Sequence, residues 1–393
     1  MKNFIDDTTT SMLHSDMSIL NDIDQLINGQ KFLIVGAAGS VGQAVTKEIF
    51  DRSPSVLHCV DISENNLVEL VRDIRSSSGY IAGDFRTFPL DCGTVEFDAM
   101  VRVHGPYDYI LNLSALKHVR SEKDPFTLMR MIEVNILNSL KMAKLAKEFS
   151  AKKYFCVSTD KATNPINMMG ASKRIMELFL FRESVHQKVS MARFANVTYS
   201  DGSLLHGFSQ RFNKNQPIVA PNDVSRYFIT GKEAGELCLI SCLYGDNRDI
   251  LFPKLNSRLH LRKFFDYAKE FIISNGFIPF ECDSEEQART ESVKLIKSGK
   301  WPCYFSKTDT TGEKNIEEFF TDKESVFLNR YKNIGVIENK VDDNFDRLTQ
   351  FEMEIRKLRM YKSWSKEDLL NCFFEILPEF KHIETNKYLD EKM

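Results

Sequence analysis

The sequence predicts an α/β fold: a doubly wound parallel sheet with a smaller region beside it and helices at the C-terminal end. Three observations carry this. Residues 32–35, 56–60, 109–113 and 154–157 are short, nearly continuous apolar runs, the pattern of strands buried on both faces. Segments of helical periodicity separate them, and strands alternating with helices imply parallel crossovers. At 393 residues the chain has room for two or three folding units, taking roughly 150 residues for each.

Composition narrows the class. The chain is 42% hydrophobic and 27% charged, with 52 basic against 55 acidic side chains for a net charge of -3. Disorder and a coiled coil are disfavoured, and the basic excess of a nucleic-acid binder is missing, so no nucleic-acid partner is expected. The eight cysteines are scattered and form no Cys-x-x-Cys pair, which fits a reduced, cytoplasmic compartment. Cys238 and Cys242 lie four apart on an expected helix without a nearby histidine. They read as buried thiols, and no metal is expected. No run approaches the roughly 18 apolar residues of a membrane span, and Asp6, Asp7, Asp16, Asp22 and Asp24 stand where a signal peptide would be apolar. No membrane insertion is expected.

Taken along the chain, residues 1–29 read as a helical extension, because Ile19, Leu20, Ile23, Leu26 and Ile27 recur at helical spacing before Gly29. Residues 30–200 carry the strand–helix alternation. From 201 to 290, Gly202, Gly207, Pro217 and Pro221 break that rhythm in a segment expected to form the substrate-binding region, closed by an acidic, linker-like stretch at 283–291. Residues 291–393 are expected to be a largely helical C-terminal extension. Two covering helices are expected between about 342 and 380, the second capped by Ser365 with Glu367 and Asp368 in its first turn.

Gly36, Gly39 and Gly42 follow the first apolar run directly and open a helix containing Val45, Ile49 and Phe50. This is the pattern of a Rossmann-type dinucleotide loop: one glycine for the turn, one for close approach of a pyrophosphate, one for packing helix on strand. The phosphate then rests on a helix N-terminus. Ala38, Ser40 and Val41 complete the loop as candidate cofactor contacts, joined by Ser114 after the fourth strand. Asp61, nineteen positions past Gly42, is placed to accept hydrogen bonds from the adenosine ribose and to repel a 2′-phosphate. With no Arg or Lys before Arg72, NAD is expected in preference to NADP. Asp91 is a candidate for the adenine amino group or, alternatively, a solvated loop carboxylate.

The fourth strand runs into Asn112–Val119 and the fifth into Val157–Lys173, both at strand ends where such sheets bind ligands. The glycine triplet, Ser158-Thr159-Asp160-Lys161, Met169-Gly-Ala-Ser-Lys173, Ala192-Arg-Phe-Ala-Asn-Val197 and Ser225-Arg-Tyr-Phe228 together resemble the extended short-chain dehydrogenase/reductases. They are most similar to the capsular-polysaccharide type of UDP-N-acetylglucosamine 4,6-dehydratase, over roughly residues 30 to 280. One position departs from the wider superfamily. Met169 stands where a tyrosine precedes the lysine by four, and the resemblance implies a soluble, methionine-for-tyrosine branch that stays active.

The resemblance implies oxidation of the sugar at C4 by NAD, which makes the C5 hydrogen acidic, then loss of water across C5 and C6 and return of the hydride to C6. Lys161 is the candidate C5 base and must be neutral to serve, a state expected from the cationic Lys173 and nicotinamide beside it. Asp160 is the candidate general acid. Thr159 is expected to bond the C4 hydroxyl and relay its proton toward Asp160, and Lys173 to hold the nicotinamide ribose. Lys117, His118, Asn196, Ser203 and Arg226 are candidates for the nucleotide-sugar substrate, Arg226 as a planar fork for phosphate. Asn135 is expected to fix backbone geometry. Two other readings stay open: an epimerase of the same fold, and a catalytically inactive NAD-binding scaffold. A homo-oligomer is expected by fold analogy, with Met129, Ile132, Ile136 and Leu140 as a stripe that either pairs helices in a dimer or faces the sheet.

Overall fold

The computed structural model of the chain describes residues 17–255, 261–340 and 345–388. The four apolar runs form the strands expected of them, β1 (Lys31–Val35), β2 (Val56–Asp61), β4 (Tyr109–Asn112) and β5 (Lys153–Thr159), and β3 (Asp84–Pro89) and β6 (Val189–Phe194) join them. Then come β7 (Asn196–Val197), β8 (Ile218–Pro221), β9 (Ser225–Ile229), β10 (Ile250–Pro253), β11 (Leu261–Lys263), β12 (Ile278–Glu281), β13 (Lys300–Ser306), β14 (Ser325–Phe327) and β15 (Ile334–Glu338). The main sheet has nine strands in the order β14-β15-β10-β6-β5-β4-β1-β2-β3. From β3 to β10 every pairing is parallel, whereas β15 runs antiparallel to β10 and β14 to β15. The chain moves one way from β1 and returns to the other side at β4. Right-handed crossovers therefore place helix Ser40–Phe50 on one face and helices Asn138–Glu148 and Met168–Glu183 on the other. Both faces are covered, which is why β1, β4 and β5 are almost wholly buried.

Helix Met17–Ile27 precedes β1 and buries Ile23 and Ile27 in the main core. Residues 1–16 lie outside the described residues. A second apolar cluster belongs to the smaller region, where β8, β13 and β12 form a parallel three-stranded sheet. Helices Leu204–Asn213 and Phe264–Ser274 pack on it, and Trp301 stacks on Phe212 with ring centroids 4.2 Å apart. Strands β7, β9 and β11 make another small sheet, interleaved in sequence with strands of the other two.

The structure corrects three expectations about organisation. The acidic stretch 283–291 is no linker: it enters helix Glu285–Lys297, whose N-terminus Ser284 caps by accepting from Gln287 N, with Glu285 and Glu286 favourably placed in the first turn. A boundary at 290 therefore falls inside a helix. Residues 291–393 are also less helical than expected, because β13, β14 and β15 lie among them and the last two extend the main sheet. The two terminal helices do form, as Asp346–Tyr361 and Lys366–Ile376, with a reciprocal capping box between Ser365 and Asp368.

The third correction concerns the stripe. Met129, Ile132, Ile136 and Leu140, expected either to pair helices in a dimer or to face the sheet, are buried with Leu348, Phe351, Ile355, Leu369 and Phe373 of this chain's own C-terminal helices. The stripe runs along three consecutive elements, helix Pro125–Ile132, a wider π turn at Glu133–Leu137 and helix Asn138–Glu148.

Candidate functional site

The carboxyl ends of β1, β2, β4 and β5 converge where the chain reverses direction across the sheet. Gly36 takes a φ of +80°, and a Cβ there would stand 2.6 Å from Ser114 N, so the glycine loop and the loop after β4 touch backbone to backbone. At Gly42 a Cβ would lie 2.0 Å from Gly36 O, which keeps the helix pressed onto the strand end. Gly39 is different. It precedes the helix without a side-chain cap and has no chain atom closer than 3.6 Å to its missing Cβ, leaving the helix N-terminus open to an anion. These features fit a dinucleotide pyrophosphate.

Asp61 ends β2 beside this loop, where Oδ2 accepts from Ala38 N at 3.0 Å and Oδ1 from Ser63 N at 2.9 Å. Asp91 is not a free loop carboxylate: it pairs with Arg130 and accepts from Gly93 N at 2.8 Å. Burial raises its pKa, but these partners outweigh burial and hold it below the usual range. Ser114 Oγ donates to Asn112 Oδ1 at 2.6 Å. Asn135 acts as expected on the backbone, accepting from Leu116 N at 2.9 Å and donating to Leu116 O at 3.1 Å.

Strand β5 delivers Thr159 at its end, and a single 3-10 turn follows with Asp160 and Lys161. Thr159 Oγ1 donates to Asp160 Oδ1 at 2.9 Å, and Lys161 Nζ donates to the same oxygen at 3.1 Å. A Cβ on Gly170 would lie 2.3 Å from Lys161 O, so helix Met168–Glu183 sits directly on this turn. That helix starts at Asn167, which accepts from Gly170 N at 2.7 Å. Met169 is buried in the apolar cluster under the C-terminal helices. Lys173 is buried too, with Nζ donating to Val157 O at 3.1 Å, and burial lowers its pKa.

Lys161 has different neighbours from those expected. Lys173 is not among the groups acting on it; Asp160 and Glu317 are, with Glu317 Oε1 3.8 Å from Nζ. Burial pushes the Lys161 pKa down, but the two carboxylates outweigh it and hold the side chain as an ammonium. Arg226 also departs from expectation. Its guanidinium is almost fully buried, pairs with Glu313, lies 3.8 Å from Glu317 Oε1, and donates to the carbonyls of Ser225 and Asn315. A phosphate would have to compete for that fork.

Glu313 and Glu317 come from a segment after β13 that lies across the Thr159–Lys161 turn. Asn167 Nδ2 donates to Gly312 O at 2.8 Å and Lys314 Nζ to Thr163 O at 2.9 Å. The chain's end is stitched on as well, with Gly312 N donating to Ile383 O at 3.1 Å and Ile383 N to Ile166 O at 3.0 Å. Sequence reasoning missed these acids because Gly312-Glu-Lys-Asn-Ile-Glu-Glu reads like any solvated charge run.

The remaining candidates lie on the loop after β4 and on the segment from β7 to the start of helix Leu204–Asn213. Lys117 Nζ reaches Ser200 Oγ at 3.5 Å, and Asp201 N donates to Ser40 Oγ at 3.0 Å, linking the 199–203 loop to both neighbouring loops. The His118 ring lies against Gly202, and burial lowers its pKa, helped by Lys117 and Arg120. Ser203 caps helix Leu204–Asn213 by accepting from His206 N at 3.2 Å, a structural duty. Asn196 pairs with Phe228 between β7 and β9. Among the described residues no group of three or more His, Cys, Asp or Glu is placed to hold a metal, and no helix is long and apolar enough to cross a membrane. Cys238 and Cys242 are buried on helix Gly231–Tyr244, where burial pushes the Cys242 thiol up to about 12.

Comparison with known proteins places the chain among similar sequences and folds. The chain is 25% identical over 360 residues to the capsular polysaccharide biosynthesis protein CapD of Staphylococcus aureus, covering 88% of this chain but 53% of that protein. It is 26% identical over 243 residues to the UDP-N-acetylglucosamine 4,6-dehydratase (inverting) of Campylobacter jejuni, covering 59% of this chain and 69% of that one. It is 27% identical over 368 residues to the UDP-glucose 4-epimerase of Rickettsia bellii, covering 86% and 98%. Among solved structures, Pen from Bacillus thuringiensis shares the fold with a TM-score of 0.65 at 20% identity, over 90% of this chain and 98% of that one. A family profile described as polysaccharide biosynthesis protein matches residues 32–339, most of the chain, and the chain belongs to that family.

Proposed function

We propose that the chain is an NAD-dependent nucleotide-sugar 4,6-dehydratase that converts a UDP-linked N-acetylhexosamine, UDP-N-acetylglucosamine in the first instance, to its 4-keto-6-deoxy form for surface polysaccharide or glycan synthesis. The observation that carries this is the Thr159–Asp160–Lys161 turn at the carboxyl end of β5, beside a loop shaped for a dinucleotide. Gly36, Gly39, Gly42 and Asp61 would hold NAD, with Ala38, Ser40, Val41, Ser114 and Lys173 around it; when bound, it supplies the acceptor and donor of hydride.

The chain's own groups then divide the proton chemistry. Thr159 passes the proton of the C4 hydroxyl to Asp160, to which its own hydroxyl already donates. Asp160, now protonated, is the acid that releases the C6 hydroxyl as water. Lys161, once neutral, removes the C5 hydrogen and later returns a proton there. Lys117, His118 and Asn196 bound the sugar-nucleotide side, and Arg226 meets the diphosphate if it is released from Glu313.

The relatedness to the Rickettsia bellii epimerase over almost its full length favours a second reading, in which C4 is oxidised and reduced again without loss of water. Purified protein incubated with UDP-N-acetylglucosamine separates the two by product mass. A keto sugar lighter by one water supports the dehydratase; an isomer of unchanged mass supports the epimerase. No turnover of any UDP- or GDP-linked hexosamine would leave an inactive NAD-binding scaffold.

A further inference from the structure

Glu317 stands beside the Thr159–Lys161 turn, and the proposed chemistry gives it no task. Its carboxyl is buried, Oε1 lies 3.8 Å from both Lys161 Nζ and Arg226 Nη2, and Lys314 Nζ stands 3.8 Å from Oε2. None of these is a hydrogen bond, and Oε2 is buried without a hydrogen-bond partner. A buried carboxylate ringed by cations yet bonded to none is poorly solvated, whereas its protonated form loses little by staying there.

We propose that Glu317 is a positioning residue that acts through Lys161, taking the lysine's proton so that its amine is free to serve as a base. This rests on the reading of Lys161 as the C5 base given above. The step balances without any other reactant. One N–H bond of the Lys161 ammonium breaks, an O–H bond forms on Glu317 Oε1, and the nitrogen keeps the electron pair. Two opposite charges become two neutral groups, and the 3.8 Å contact closes by about 1 Å to ordinary N–H···O length.

The surroundings are compatible with a proton on either partner. Burial raises the Glu317 pKa, Asp160 raises it further, and Lys161, Arg226 and Lys314 oppose them without reversing the direction. On Lys161, burial pulls the pKa down, Asp160 and Glu317 pull it up, and Arg226 pulls it down. Asp160 cannot take this proton as well, because it must be free to receive the one from the C4 hydroxyl through Thr159. Met169 offers no titratable group in the place where a tyrosine would stand.

The test uses the full chain, with Glu317→Gln as a near-isosteric neutral variant and Glu317→Asp as the conservative one. In wild type the proton moves within the pair, so kcat/KM is level through neutral pH. In Glu317→Gln the lysine must lose its proton to solvent, so activity at neutral pH falls about a hundredfold and then climbs about tenfold per pH unit. Glu317→Asp restores part of the level region. A separate readout is the titration of Lys161 by NMR of protein carrying 13C at the lysine ε-carbons, assigned by the signal missing in Lys161→Arg. With one neighbouring negative charge removed, Lys161 in Glu317→Gln titrates about 1 pH unit lower than in wild type. A Glu317→Gln profile parallel to wild type, or an unmoved Lys161 titration, would overturn the proposal. If wild type turns over no nucleotide sugar, the reading of function fails instead, and the Lys161 titration still decides whether Glu317 governs that proton.

Discussion

Arg193 and Glu177 face each other wholly inside the protein, with Arg193 Nη2 donating to Glu177 Oε2 at 2.7 Å and Nε to Oε1 at 2.9 Å. The pair does more than neutralise itself. Ser158, next to the Thr159–Lys161 turn, donates to Glu177 Oε1 at 2.6 Å, and Arg193 reaches on to Phe319 O at 2.9 Å and to both oxygens of Glu324. It therefore ties the end of β5 to the segment that carries Glu313 and Glu317.

Replacing Arg193 with Met should destabilise the chain by about 3–5 kcal/mol, because the buried Glu177 loses its two-pronged partner and keeps only Arg174 and Ser158. Chemical denaturation at neutral pH measures this. The pH dependence has a definite sign. Burial raises the Glu177 pKa, but Arg193, Arg174 and Ser158 outweigh it and hold the folded value down to about 2 from 4.5. Wild type should keep this stabilisation above pH 4.5 and lose it as pH falls toward 2. In Arg193→Met the deficit should shrink as acid neutralises Glu177; an equal deficit at pH 7 and about pH 4 would argue against the pair as its cause.

Lys161→Met should separate oxidation from elimination. The variant is expected to bind substrate and reduce NAD, then stall at the ketone, so NADH absorbance accumulates in a single turnover and no deuterium enters C5 from heavy water. Asp160→Asn should form no NADH if Asp160 receives the C4 proton, since the first step then lacks its acceptor. Turnover of Lys161→Met near the wild-type rate would move the base elsewhere, with Lys117 and His118 the next candidates.

Asp61→Ala should weaken NAD binding by about tenfold or more, in keeping with the loss of charge-assisted hydrogen bonds. NADP binding should weaken less, because the same change removes the repulsion on its extra phosphate. Calorimetry with both dinucleotides checks this. Equal losses would mean that Asp61 matters only for holding Ala38 and Ser63 in place.

Phe373→Asp should lift the last helix from the cluster it shares with Met129, Ile132 and Leu140. The uncovered apolar surface should then drive self-association, read as a higher mass by light scattering at micromolar concentration. A variant with the same mass as wild type would show that the stripe stays shielded without Phe373.

Much of this protein was determined locally, by residues that act on near neighbours. Apolar runs of four to seven residues specify buried strands wherever they fold, and glycines at 36, 39 and 42 specify a tight turn into a helix because of the room their neighbours need. The same holds for the cap at Ser365. Only the tertiary structure decided the rest. That Ile334–Glu338 would extend the main sheet depends on β10 being there to pair with it. That Met129 and Ile136 would be covered by this chain's own helices depends on where residues 345–380 fold back, since an apolar stripe is equally suited to any apolar partner. Lys161 is the sharpest case. Its charge is held by Asp160 beside it and also by Glu317, far away in the sequence, and electrostatic energy follows distance through space, which no pattern of spacing along the chain records.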